Sequence, residues 1–317
     1  MTPVDILMPR PMPPLVLEKL EAEFTVHKLF EAENPDGMLA EIGPKIRGVA
    51  AMGGKMDKAF LDKFPNVEII SSFGVGYDHV NTGDCLAANV MVTHTPDVLS
   101  DEVADTALGL LLMTVRELGQ AETWLREGKW VSEGAYPLTR ATLQGRTLGI
   151  FGLGRIGKAI AKRAEAFGLT IHYHGRSRQD GVAYPFHATL KDMAAACDTL
   201  MVVAPGGAAT KHAVNAEVLD ALGPEGILIN IGRGTVVDEQ ALIAALEKGT
   251  IHGAGLDVFE DEPNVPEKLM QLPRVTLLPH VGSASQATRN AMGQLVVDNL
   301  KSWFDTGNAV TPVPEMG

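Results

Sequence analysis

Short apolar runs alternate with helix-period segments over almost the whole chain. The first group of runs is Val4–Met8, Phe24–Leu29, Gly48–Met52, Val67–Phe73 and Val90–His94. The second is Thr147–Phe151, Thr170–Tyr173, Thr199–Ala204, Gly226–Ile231, Gly253–Asp257 and Val275–Leu278. The runs are continuous rather than alternating, as expected of strands buried on both faces of a parallel sheet. Between them, Leu15–Glu23, Gly157–Phe167 and Glu239–Lys248 repeat apolar residues at helical spacing. This alternation predicts βαβ units and an α/β, doubly wound, parallel-sheet fold. Thr95-Pro96-Asp97 reads as a turn, because proline drives its predecessor out of the α region. A long helix follows to about Leu118, with Ser100 as its N-cap and Asp101 and Glu102 in the first turn, where the helix dipole favours acids. The last pattern, Gln286–Phe304, is another helix, and periodicity leaves open which domain it joins.

One turn carries chemistry. Gly152-Leu153-Gly154-Arg155-Ile156-Gly157 follows the run Leu148–Phe151 and opens a helix with the expected apolar face Ile156, Ala159, Ile160, Ala164 and Phe167. A plain tight turn can look the same, but this setting is that of a dinucleotide loop. Gly152 makes the turn, Gly154 admits a pyrophosphate, and Gly157 lets helix pack on strand. The free N–H groups of the helix start then face the anion. An NAD enzyme places an acid on the ribose about 18–20 residues further on. Here that neighbourhood is His174-Gly175-Arg176-Ser177-Arg178, with no acid. Arginine pairs with phosphate through its planar fork. The expected cofactor is therefore NADP(H), with Gly175, Arg176, Ser177 and Arg178 around the 2′-phosphate. The bland alternative is a solvated basic loop.

Composition changes the picture elsewhere. The 317 residues suggest two domains. The balance of 27 Lys and Arg against 39 Asp and Glu leaves a net charge of −12, which argues against nucleic acid or an anionic membrane as partner. Cys85 and Cys197 are too few and too far apart for a disulfide framework, and no metal site is expected. Met1–Pro14 is broken by prolines and lacks an apolar core of signal-peptide length. A cytoplasmic location is the expectation.

Three later segments place polar residues at strand ends, where open α/β sheets bind ligands. They are Asn230-Ile231-Gly232-Arg233-Gly234, Gly255–Pro263 with its acids Asp257, Glu260, Asp261 and Glu262, and Leu278-Pro279-His280-Val281-Gly282-Ser283-Ala284. Taken singly, Arg233 reads as a surface-loop residue, Glu262 as a solvated acid and His280 as structural. Together with the glycine loop, in this order and spacing, they resemble the D-isomer-specific 2-hydroxyacid dehydrogenase family over nearly the full chain.

The resemblance implies Arg233, Glu262 and His280 as catalytic residues. It implies a Rossmann nucleotide domain, residues 98–285, inserted into a flavodoxin-like substrate-binding domain formed by 1–97 and 286–317. Ser72–Asp78 is similar to the family's carboxylate-binding loop, with Val75 and Gly76 donating to the substrate. Met52 and Gly53, after another strand, would close the same pocket. Further cofactor contacts carried over by motif are Thr106, Leu153, Arg155, Ile156, Val203, Ala204, Pro205, Ile231, Gly232, Asp257, His280 and Gly282. Asp257 would meet the nicotinamide carboxamide, or else cap a strand end.

The SFGVGYDH and HGRSR segments resemble the glyoxylate/hydroxypyruvate reductase branch, which implies reduction of small 2-oxo acids to 2-hydroxy acids. Aromatic-pyruvate reductases share similar motifs and stay open as an alternative. So does a dinucleotide-sensing, corepressor-like binding module, although no long disordered tail or appended regulatory domain is expected after the last helix. A homodimer is implied, with Trp124–Thr139 as an arm over the partner; packing of that segment on its own domain is the plainer reading.

Overall fold

The structure, a computed structural model, describes residues 3–317; residues 1 and 2, at the start of the expected outer domain, lie outside the described residues. The chain divides into two compact units, one holding residues up to Leu99 together with Ala284–Gly317, the other Ser100–Ser283.

The first unit is a five-stranded sheet. Its strands are β1 (Val4–Met8), β2 (Phe24–Lys28), β3 (Gly48–Ala51), β4 (Ile69–Ser72) and β5 (Met91–Thr93), in the order β2-β1-β3-β4-β5 and all parallel. This is the flavodoxin-like winding, which reverses between β1 and β3. Leu7, Val49, Ile70 and Val92 are completely buried, with Ile46, Phe64 and Val313 packed over them. Full burial of each such side chain is worth about 1.5–3 kcal/mol. The helix Gln286–Thr306 belongs to this unit. Gly293 permits its approach to the helix Pro14–Glu23, since a Cβ there would stand 2.0 Å from Val16. Asn299 fastens the chain end: its Nδ2 donates to the Leu295 carbonyl and to Thr311 Oγ1, and its Oδ1 accepts from the amides of Val310 and Thr311.

The second unit is a seven-stranded parallel sheet. It comprises β6 (Thr147–Phe151), β7 (Thr170–His174), β8 (Phe186–His187), β9 (Thr199–Val202), β10 (Ile227–Asn230), β11 (Gly253–Leu256) and β12 (Val275–Leu277), in the order β12-β11-β10-β9-β6-β7-β8. That is the Rossmann order extended by one strand. Leu200, Val202, Leu228 and Ala254 form its core with Met193, Leu219 and Leu242 of the covering helices.

Several expectations need correction. Most strands are one to three residues shorter than their apolar runs, because the flanking apolar residues lead into loops. The edge strand β8 is too short to leave a pattern. Ser100 is not an N-cap: the helix Ser100–Arg116 already contains it, and its buried Oγ has no hydrogen-bond partner among the described residues. That helix stops at Arg116 rather than near Leu118, because Glu117 adopts φ +51°; a new helix, Leu118–Arg126, starts there. Phe167 is not on the buried face of its helix. It follows the last turn and is exposed, while Ile160, Ala161 and Ala164 pack inward. Both cysteines are buried and free, and burial pushes the Cys85 thiol up to about 11 and that of Cys197 to about 12. No helix among the described residues is long and apolar enough to cross a membrane.

Candidate active site

Six loops leave the carboxyl ends of neighbouring strands in the second unit, and the sequence-derived residues fall on them. The glycine loop follows β6. Gly152 adopts φ +101°, and a Cβ there would stand 2.8 Å from the Ala204 amide nitrogen. The turn after β6 therefore lies against Val203–Pro205, the turn after β9. Gly232, after β10, meets the same turn, with its Cβ position 2.7 Å from the Ala204 carbonyl. Around Gly154 the Cβ position is open, with no atom within 4 Å. No side chain caps the first turn of the helix Arg155–Ala166. An open glycine in front of uncapped helical N–H groups fits a pyrophosphate.

The loop after β7 carries Arg176, Ser177 and Arg178, all exposed. Among the described residues, neither guanidinium forms an ion pair or hydrogen bond, so both charges are available to a phosphate. Gln179 holds this loop in place, and the sequence reading missed it. Its amide donates to the hydroxyl of buried Tyr173, and its Nε2 donates to the Leu153 carbonyl in the glycine loop. Nothing in the sequence pattern marks a glutamine after two arginines as such a brace.

The turn after β10 presents Arg233. Asn230 builds that turn by donating from Nδ2 to the Arg233 carbonyl and accepting from the Gly232 amide at Oδ1. Gly234 lies hard against the next loop, where a Cβ would come within 1.9 Å of the Phe259 carbonyl. Glycine at 234 is thus what allows Arg233 and the acidic segment to adjoin. The sequence signal for this role of Asn230 is its place at the end of β10, directly before the loop.

His280 and Glu262 come from the loops after β12 and β11. His280 Nδ1 lies 2.7 Å from Glu262 Oε2, and the side chain of His280 is about half exposed. Burial alone would raise the Glu262 carboxyl. The hydrogen bond with His280, the Phe259 amide and the charges of His280 and Arg233 outweigh it and hold the carboxyl below the ordinary range. Glu262 is therefore linked to His280 by a hydrogen bond and to Arg233 by charge, an arrangement in which a proton can be held beside a cation.

Asp257 positions the histidine loop. Its Oδ1 accepts the Val281 amide at 2.7 Å, its Oδ2 the Gly282 amide at 2.8 Å, and its carbonyl the His280 amide at 2.9 Å. His280 sits at φ +54° within this clasp. Burial drives the Asp257 carboxyl up despite those two amides. The strand-end cap foreseen as the plainer role is thus present. Thr106 Oγ1 donates to the Gly282 carbonyl at 3.3 Å, which draws the helix Ser100–Arg116 into the same group. A second pair, His212 Nε2 and Glu260 Oε1 at 2.6 Å, lies on the neighbouring loops and was not foreseen. No residue pattern joins two positions that far apart.

In the first unit, Val75 and Gly76 follow β4. Their amides have no acceptor among the described residues, and the loop is held by His94 Nδ1 on the Val75 carbonyl and the Thr95 amide on the Gly74 carbonyl. Adjacent free amides in a glycine turn form an anion nest. Met52 and Gly53 follow β3, the strand next to β4.

The comparisons agree in direction. Residues 108–282 match the family described as "D-isomer specific 2-hydroxyacid dehydrogenase, NAD binding domain". A glyoxylate/hydroxypyruvate reductase A of Arabidopsis thaliana is 45% identical over 314 residues, covering 99% of this chain and 100% of that protein. A hydroxyphenylpyruvate reductase of Plectranthus scutellarioides is 43% identical over 314 residues, covering 99% and 100%. The crystal structure of an NADPH-dependent glyoxylate/hydroxypyruvate reductase from Sinorhizobium meliloti, in complex with NADP and malonate, aligns at a TM-score of 0.95 with 56% identity, covering 99% of this chain and 98% of that one.

Proposed function

We infer, since this chain belongs to the D-isomer-specific 2-hydroxyacid dehydrogenase family, that it is an NADPH-dependent reductase of small 2-oxo acids. Glyoxylate and hydroxypyruvate are the substrates, and glycolate and D-glycerate the products. The observation that carries the reading is the 2.7 Å contact of His280 with Glu262, with the charge of Arg233 acting on the same carboxylate.

The unpaired Arg176 and Arg178, with Ser177, are the proposed holders of the 2′-phosphate, and the open turn at Gly154 holds the pyrophosphate. When bound, the reduced nicotinamide supplies a hydride to the carbonyl carbon of the 2-oxo acid. The other steps belong to the chain's own groups. Arg233 pairs with the substrate carboxylate and polarises the carbonyl. In the first unit, the amides of Val75 and Gly76 are the proposed donors to a substrate carboxylate. His280, with Nδ1 held by Glu262, has Nε2 left to protonate the carbonyl oxygen as the imidazolium; neutral His280 is the base in the reverse direction. Glu262 orients the ring through its contact with Nδ1.

The test is a substrate panel with NADPH: glyoxylate, hydroxypyruvate, pyruvate and phenylpyruvate. Oxidation of NADPH should be fastest with glyoxylate or hydroxypyruvate. A clear lead for phenylpyruvate would move the protein to the aromatic branch, the activity named for its relative from Plectranthus scutellarioides. No oxidation with any of the four would leave a dinucleotide-sensing binding module.

We place a homodimer interface on Trp124–Thr139. Trp130 is 63% exposed and Leu138 wholly so, and Val131 is nearly so, in a chain with only 5% aromatic residues. The segment is nevertheless ordered from within. Trp124 meets Tyr136 edge-on and donates from Nε1 to the Gly134 carbonyl, and the Tyr136 hydroxyl donates to Glu117. Exposed apolar groups on a braced segment fit a partner surface. Sedimentation at micromolar concentration should give twice the mass of one chain, and a Leu138→Glu variant should shift it toward the single chain. A single-chain mass for the unmodified protein removes this interface. The unpaired buried thiols suit the reducing cytoplasm, the compartment this reading assigns.

A further inference from the structure

Arg10 has no part in the assignment above. It lies two residues beyond β1, is exposed, and among the described residues makes no hydrogen bond, ion pair or ring contact. Several arginines of the chain, unlike Arg10 and the pair at 176 and 178, are tied down: Arg47 to Glu68, Arg163 to Asp101 and Asp105, and Arg146 to Asp198. The guanidinium of Arg10 instead faces the turn after β3. A Cβ at Gly53 would lie 3.6 Å from its Nη1 and one at Gly54 3.8 Å from its Nε, with no other non-adjacent atom within 4 Å of either. Side chains at those two positions would fill the space in front of Arg10; glycines leave it open.

The location is also the one where this kind of sheet takes ligands. The winding reverses between β1 and β3, and open α/β sheets bind ligands outside the carboxyl ends of the strands at such a point. The next strand, β4, ends in the free amides of Val75 and Gly76. Three adjacent strand ends therefore carry, in order, an unpaired guanidinium, an open glycine turn and an anion nest. Two groups that each favour a carboxylate thus follow strands separated only by β3.

We propose that Arg10 binds the second carboxylate of a 2-oxo diacid whose 2-oxo-acid end lies at Val75 and Gly76. It is then a specificity-determining residue that widens the substrate range from glyoxylate to 2-oxo dicarboxylates. This rests on the role given above to Val75 and Gly76. Guanidinium–carboxylate contacts are among the stronger hydrogen bonds, and Arg10 engages one only when the substrate carries a distal anion.

The experiment compares oxaloacetate with glyoxylate, each with NADPH, in the full-length protein and in Arg10→Met and Arg10→Lys variants. In Arg10→Met the ratio of kcat/KM for oxaloacetate to that for glyoxylate should fall about tenfold, through KM rather than kcat. Arg10→Lys, which keeps the charge and loses the fork, should recover part of it. An unchanged ratio overturns the proposal, and so does a ratio that Arg10→Lys lowers as much as Arg10→Met. Calorimetric titration with malonate, a diacid that cannot be reduced, reads the same contact without turnover. Weaker malonate binding by Arg10→Met in a protein that reduces no 2-oxo acid would sink the assigned reaction and keep this contact. Undiminished malonate binding by Arg10→Met would sink the contact alone.

Discussion

Replacing His280 with alanine should lower kcat/KM for glyoxylate by about 10²–10⁴-fold, the usual contribution of a positioned general acid. That range corresponds to about 3–5 kcal/mol of lost transition-state stabilisation. NADPH affinity, read from fluorescence quenching, should change little, because the helix start at Gly154 and the Arg176–Arg178 loop lie on other strands. Arg233→Ala should lose a comparable amount, with a larger share in KM, since it removes the clamp on the substrate carboxylate. Near-normal turnover in either variant would remove these residues from the chemistry. Glu262→Gln separates orientation from charge. The carboxyl of Glu262 is held below the ordinary range by its bonds to His280 and the Phe259 amide and by the charges of His280 and Arg233. Glutamine keeps an oxygen for the ring but removes the negative charge. Reduction needs the protonated ring, so the pH profile of kcat/KM should change in this variant. A pH profile identical to that of the parent protein would leave Glu262 a structural residue.

Replacing Arg176 and Arg178 together with alanine should raise KM for NADPH by about 10–10³-fold, from two charge-assisted contacts to one phosphate. KM for NADH should move far less, and kcat at saturating cofactor should be kept. The wide range reflects exposure: both side chains are in solvent, where salt screens them, so the effect should shrink between low and physiological ionic strength. An unchanged ratio of NADPH to NADH specificity would return the segment to a solvated basic loop. Substitution of Gln179 offers an internal comparison, because it loosens the same loop without touching its charge.

The sheets were legible in the sequence because their strands are buried on both faces. A run such as Ile227-Leu228-Ile229 has no solvent side to interrupt it, so its apolar residues are continuous up to Asn230 at the strand end. What escaped the pattern was set by single contacts or by short elements. The two residues of β8 carry no period. Ser100 has the chemistry of a cap, yet the helix begins one residue too early to use it. Phe167 continues the spacing of its helix after the helix has ended. The proposed reacting residues stand out by the order of four motifs, not by periodicity, and each motif ends a strand of one sheet. The loop braces, Gln179 and Asn230 in the second unit and His94 in the first, act through their own amide or ring groups on a neighbouring backbone, and such contacts depend on the folded unit.

The clasp at Asp257 has a consequence for any mutational survey of this protein. The backbone of residues 280, 281 and 282 hangs from that one residue through three hydrogen bonds, two of them to its carboxylate. An asparagine there would turn an NH2 group toward one of two amides that both need an acceptor, and an alanine would leave both without one. Either change displaces the imidazole as well as any ligand that Asp257 itself touches. A loss of activity at position 257 thus reports two quantities in a single number, and only a paired measurement of cofactor affinity and proton transfer pulls them apart.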